Sequence, residues 1–176
     1  MVKGYSRPPG SPSADFATAR IFEEEVGAQL AEQGVEHIQR FSHNDDLDIW
    51  VPGYYLEVKE KRQPLTDRWH LLEGVEPENL FVLDELSVRR GVRHWPAVYF
   101  LLRDVPLNRC FLAPIWEVIA CRRARINRQG KGKWVVDLTE FRQLNDLDEI
   151  NPIIMQELPE LPWKSSACLG RGIGQV

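Results

Sequence analysis

The stretch that most constrains this chain is residues 48–59, where Asp48-Ile49-Trp50-Val51 is followed by Pro52-Gly53 and then Tyr54-Tyr55-Leu56-Glu57-Val58-Lys59. Two β-branched and aromatic runs around a Pro-Gly pair predict two antiparallel strands joined by a tight turn. Alternate side chains of a strand share a face. Folding about Pro52-Gly53 therefore sets Val51 opposite Tyr54, Ile49 opposite Leu56 and Asp48 opposite Glu57. Pro-Gly favours a type II turn, which suits a two-residue hairpin poorly. A four-residue loop over 51–54 keeps that register, whereas a three-residue loop shifts it by one. In the first register Ile49 and Leu56 share the core face, while Asp48, Glu57 and Lys59 share the other.

Opposed carboxylates repel unless a cation lies between them. Hard cations such as Mg²⁺ bind through one or two carboxylates plus waters and substrate phosphates. A neighbouring lysine can hold the attacking water and offset charge developing on phosphorus. Asp48, Glu57 and Lys59 together thus suit metal-assisted phosphodiester hydrolysis. The same spacing also suits an exposed hairpin face with one Glu–Lys pair, which would carry no chemistry. Asp46, two residues before Asp48, is the alternative metal ligand, and Lys61 shares parity with Lys59 and is a candidate phosphate contact. Trp50 and Tyr55 would oppose each other, either stacking on bases or packing on the first helix. The four histidines show no metal-ligand spacing, and His43 is read as a loop residue beside the acidic cluster.

The remaining elements alternate. Residues 1–13 read as a flexible leader, rich in proline, glycine and serine. A helix is expected over 14–33, capped by Ser13 and stopped by Gly34, with Phe22, Val26 and Leu30 as its apolar stripe. A short extended segment over 35–41 follows it. Thr66 is expected to cap a helix to Leu72. Pro77 is expected to open another, in which Leu80, Leu83 and Leu86 lead to a stop at Gly91. The run 97–102 is apolar on both faces, predicting a central buried strand paired with 109–113. A helix over 114–124, a strand over 134–137 and a short helix over 139–144 complete a domain spanning 14–150. The tail, 151–176, is expected to be extended and docked. The order predicts an α/β (α+β) chain with a central mixed sheet flanked by helices.

Asp48 with Glu57-Val58-Lys59, nine residues on, resembles the signature of the PD-(D/E)xK nuclease superfamily, which has the restriction-endonuclease-like fold. Family members place a glutamate-bearing helix before the motif, and Glu23-x-x-Val26-x-x-x-Leu30-x-x-x-Gly34 is similar to its pattern. Leu47 stands where the family often has proline. The resemblance covers about residues 14–145. It implies a Mg²⁺- or Mn²⁺-dependent nuclease acting on DNA, with RNA as a further substrate class, of the Holliday-junction-resolvase-like or phage type. It implies metal binding by Asp48, Glu57 and the Val58 carbonyl, water activation by Lys59, and a role for Glu23 through a metal-bound water. Periodicity also puts Glu23 at the edge of the buried stripe, with Glu24 as the next choice, although an acidic first turn would explain the same residues. A homodimer is compatible with this reading. The alternative is a non-catalytic nucleic-acid-binding or assembly protein on the same fold.

Composition refines the partner. The chain has 176 residues, 22 Lys and Arg against 26 Asp and Glu, and a net charge of −4, which excludes a protein that coats DNA by bulk charge. Yet residues 122–133 hold Arg122, Arg123, Arg125, Arg128, Lys131 and Lys133 without an acid. They read as a helix end running into a loop that contacts phosphates. The three cysteines are too few and too scattered for a thiolate cage or an iron–sulfur cluster. No apolar run is long enough to span a bilayer and no signal-peptide pattern opens the chain, so a cytoplasmic protein is expected, in the host cell if phage-encoded.

Overall fold

The computed structural model of the protein describes residues 12–41, 46–65, 71–128 and 130–158. Its elements run α1 (Pro12–Glu32), β1 (Gln39–Arg40), β2 (Ile49–Val51), β3 (Tyr54–Lys61), β4 (Leu80–Asp84), α2 (Glu85–Arg93), β5 (Val98–Asp104), β6 (Arg109–Pro114), α3 (Ile115–Ala120), β7 (Arg123–Arg128), β8 (Lys131–Asp137), β9 (Arg142–Leu144) and α4 (Ile150–Glu157). A six-stranded mixed sheet has the order β1-β2-β3-β5-β6-β9, and a three-stranded sheet has the order β4-β8-β7. Among the described residues, β3 and β5 pair in parallel and the other pairings are antiparallel.

The expected hairpin is present in the first register: Ile49 faces Leu56, Trp50 faces Tyr55 and Val51 faces Tyr54. Two residues form the turn, and Gly53 takes a positive φ of 112°, a conformation nearly closed to other residues. The run apolar on both faces is central because each face has its own core. Tyr99 and Leu101 of β5 join Phe22, Val26 and Leu30 of α1 and Ile150, Ile154 and Leu158 around α4. Val98, Phe100 and Leu102 instead meet Phe81 and Leu83 of β4, Val88 of α2 and Val118 of α3. Fully burying each such side chain contributes about 1.5–3 kcal/mol, which fixes the helices against the sheet.

Several elements differ from the sequence reading. The stretch expected as one helix from Pro77 is a 3-10 turn over Pro77–Asn79, then β4, then α2. Phe81 and Val82 pair with Val136 and Val135 more than fifty residues later, and that pairing outweighs the local three-residue leucine spacing. Gly91 does not stop α2, because its missing side chain lets the helix lie on the sheet: a Cβ there would stand 3.0 Å from Ile115 and 3.3 Å from Phe100. The basic segment is a β-hairpin, β7–β8, with Gly130 at φ 74° in its turn. The expected final helix over 139–144 is a 3-10 turn followed by β9. The start of the expected extended tail is helical. Ile150, Ile154 and Leu158 form a buried i, i+4, i+8 stripe, and Pro152 sits in the first turn of α4, where its absent N–H costs nothing. The Tyr54 hydroxyl donates to Asn151 Oδ1 at 3.1 Å and ties α4 to β3. The leader over 1–11, His43, most of the helix expected after Thr66, and the tail beyond 158 lie outside the described residues. No described helix is long and apolar enough to cross a membrane.

Candidate active site

β2 ends its pairing at Ile49–Leu56, so Asp48 leaves the ladder beside the continuing β3. Its side chain fills the vacated bonding position: the Val58 N–H donates to Asp48 Oδ2 at 2.8 Å. Glu57 and Lys59, of the same parity on β3, turn to the same side. The Lys59 ammonium is 2.6 Å from Glu57 Oε1 and 2.9 Å from Asp48 Oδ2, and donates to the Val58 carbonyl at 3.1 Å. Glu23 of α1 is 7% exposed and feels the charges of Asp48, Lys59 and Glu57. The structure therefore brings together Glu23, Asp48, Glu57, Lys59 and the Val58 carbonyl.

Two carboxylates contact the one ammonium and Glu23 feels all three charges, so negative charge is in excess and burial makes it costly. Desolvation, reinforced by Asp48, pushes the Glu23 carboxyl up to about 7. Glu57 is also raised, by its burial foremost, although Lys59 pulls it down. Burial opposes the charge on Lys59, but attraction to Glu57 and Asp48 wins and holds its ammonium firmly protonated. Ser87 of α2 also draws the Glu57 carboxyl down. Among the described residues no three acidic, histidine or cysteine side chains form a ready-made cation cage; Lys59 lies between the acids instead. The donor set itself, hard oxygens with uncompensated negative charge, fits Mg²⁺ or Mn²⁺ and not a soft metal.

The other predicted residues are placed elsewhere. Glu24 is exposed and pairs with Arg40 at 3.4 Å, so Glu23 alone of the two faces the cluster. Asp46 accepts from the Leu47 N–H and lies 2.7 Å from His94 Nε2, apart from the lysine cluster. Lys61, expected as a phosphate contact, is instead turned into the fold: it is 8% exposed, donates to the Glu78 carbonyl at 2.7 Å and pairs with Asp104 at 3.0 Å, so its ammonium is not presented to a phosphate. Arg109 closes this internal network on Asp104 at 2.7 Å. Trp50 is half-buried beside Tyr55, whose ring stacks on His94 with centroids 4.3 Å apart.

The basic hairpin is less free than its sequence suggests. Arg125 pairs with Glu85 at 2.8 Å, Lys133 with Asp84, and Arg122 lies 3.8 Å from Asp137. Arg123 sits over the Trp134 ring at 4.2 Å. Lys131 is exposed with no partner among the described residues. Much of the local charge is thus answered within the fold by acids that come from β4, α2 and β8. Ser87 and His94 were not singled out in the sequence, because their partners lie 30 and 48 residues away and no spacing pattern links them.

The central mixed sheet with its helices is an architecture shared with a viral nuclease. A solved structure of D212, a nuclease from a fusselovirus, is similar to this chain over 88% of this chain and 99% of its own, with a TM-score of 0.51 and 7% identity. At that identity the likeness is one of fold. No family model matches the sequence, and neither does any curated protein.

Proposed function

We propose that the protein is a divalent-cation-dependent nuclease that hydrolyses phosphodiester bonds of DNA, acting within strands rather than only at ends. The observation that carries this reading is the meeting of Asp48 and Glu57 on Lys59 at the point where β2 leaves β3, with buried Glu23 within reach of their charge. The fold shared with a viral nuclease supports it. Asp48, Glu57 and the Val58 carbonyl would hold the cation, which supplies Lewis-acid polarisation of the phosphate when bound. Lys59 would then give up its contacts with the acids, hold the attacking water by a hydrogen bond and offset charge developing on phosphorus. Glu23 would complete the site by binding a metal-bound water or a second ion.

Lys131 and Arg128 on the β7–β8 turn, with Arg122, Arg123, Arg125 and Lys133 behind them, would contact the backbone once DNA competes with their internal acids. The chain would select substrate by shape, and a homodimer would let two sites act on two strands. The experiment is incubation with linear, nicked, circular and four-way-junction DNA and with RNA, in Mg²⁺, Mn²⁺ or chelator. Cleavage of DNA only with metal is expected. Binding without metal-dependent cleavage of any substrate would instead assign the fold to a non-catalytic nucleic-acid-binding protein.

A further inference from the structure

The turn that ends α2 presents an arrangement that the cleavage chemistry does not use. Trp95 is 54% exposed, and its indole makes no ring contact among the described residues. A single exposed apolar residue needs no explanation, but this one follows a residue that contacts β3 and the segment leading into β2. The preceding residue, His94, lies 2.7 Å from Asp46, two residues before Asp48, and stacks on Tyr55 of β3. Arg93, on the other side of His94, is exposed and has no partner among the described residues. The same helix reaches Glu57 through Ser87. Pro96 locks the backbone beyond Trp95 and removes a donor.

We infer that Trp95, with Arg93, is a base-stacking platform for an unpaired nucleotide flanking the phosphate that the Asp48–Lys59 site would cut. This rests on the nuclease reading and gives it a substrate class: a strand with unpaired bases, as at a single-stranded, splayed or branched segment. A polyanion approaching three clustered carboxylates needs a cation beside them, and Arg93 supplies one. An indole offers a flat face to any base, so it adds affinity without sequence preference. In a continuous duplex both faces of each base are already stacked, and Trp95 then has nothing to bind. Charge favours this occupant over a protein: the turn carries a free cation next to an acidic site that a strand must enter.

The test is equilibrium binding, in chelator and at low salt, of a single-stranded oligonucleotide containing 2-aminopurine and of its perfect duplex. The wild-type chain is compared with Trp95→Ala, Trp95→Phe and Arg93→Ala. Trp95→Ala is expected to weaken single-strand binding roughly tenfold, the scale of one lost stack. Duplex binding should stay within about twofold, Trp95→Phe should restore most of the loss, and Arg93→Ala should weaken both substrates alike. The 2-aminopurine quench should fall only in Trp95→Ala. Equal affinity of Trp95→Ala and wild type for the single strand would overturn the inference, as would an equal loss on both substrates. A dimer that dissociates on Trp95→Ala without change in single-strand binding would overturn it too, and give the patch to a second copy. Any of these overturning results, with metal-dependent cleavage retained in the wild-type chain, would leave the nuclease reading standing; a wild-type chain that binds no oligonucleotide and, in Mg²⁺, cleaves none would remove both.

Discussion

Glu23→Gln separates the electrostatics of the site from its chemistry, because its effect should appear in stability before any substrate is added. In the folded protein the Glu23 carboxyl is raised from 4.5 to about 7, by burial first and by Asp48 second. At about 1.4 kcal/mol per tenfold change in proton affinity, ionising it in place costs about 3 kcal/mol. Below pH 4.5 it is protonated in both folded and unfolded chains and costs nothing. As pH rises the unfolded chain ionises first, so the folded state holds more protons and stability declines until the pH passes about 7. Glutamine carries no such charge. In chelator, urea unfolding at pH 4.5, 6, 7 and 8 should therefore show wild-type stability falling relative to Glu23→Gln by about 3 kcal/mol across the series. Added Mg²⁺ should shrink the decline in the wild-type chain. Two stability curves that stay parallel from pH 4.5 to 8 would refute the burial of Glu23 beside Asp48.

Other outcomes follow from the packing. Asp104→Ala strips the buried counter-charge from Lys61 and Arg109 and should cost about 3–5 kcal/mol in chemical denaturation, because it leaves a buried ammonium unpaired. Gly91→Val drives a branched side chain into Ile115, Phe100 and Val98, all within 3.4 Å of the position a Cβ would take. It should lower stability by about 1–3 kcal/mol, measured by thermal or urea unfolding. Lys131→Ala should reduce the slope of log affinity for DNA against log salt by about one, and Arg125→Ala by less, since Glu85 already engages Arg125.

How much of this was legible depends on how local each cause is. The β2–β3 register was readable because a one-residue slip would put Ile49 and Leu56 in solvent. The Phe22–Val26–Leu30 stripe and the doubly apolar β5 were readable for the same reason: burial writes its period into the chain. β4 was misread because its partner, β8, lies more than fifty residues on, while Pro77 and three-residue leucine spacing mimic a helix start. β7 carried a usable signal that its charge obscured. Arg123, Arg125 and Asn127 alternate with Ala124 and Ile126, which is strand spacing, and the short apolar run Leu80–Leu83 has strand length. In α4, Pro152 masked the Ile150–Ile154–Leu158 stripe. Within the candidate site, the proximity of Asp48, Glu57 and Lys59 was legible from one hairpin, and the burial of Glu23 from its place on the α1 stripe. Lys61 was misassigned because parity on a strand says which way a side chain points, and not whether β4 covers it. His94 and Ser87 depend on α2 crossing the sheet, which no local pattern encodes.

The most direct measurement is the rate at which Lys59→Ala and the wild-type chain cleave the same DNA in Mg²⁺, with Mg²⁺ affinity recorded by calorimetry on both. The account predicts a loss of roughly 10²–10³ in cleavage rate together with retained or stronger cation binding, since Asp48 and Glu57 no longer share their oxygens with an ammonium. Cleavage by Lys59→Ala at the wild-type rate would contradict it.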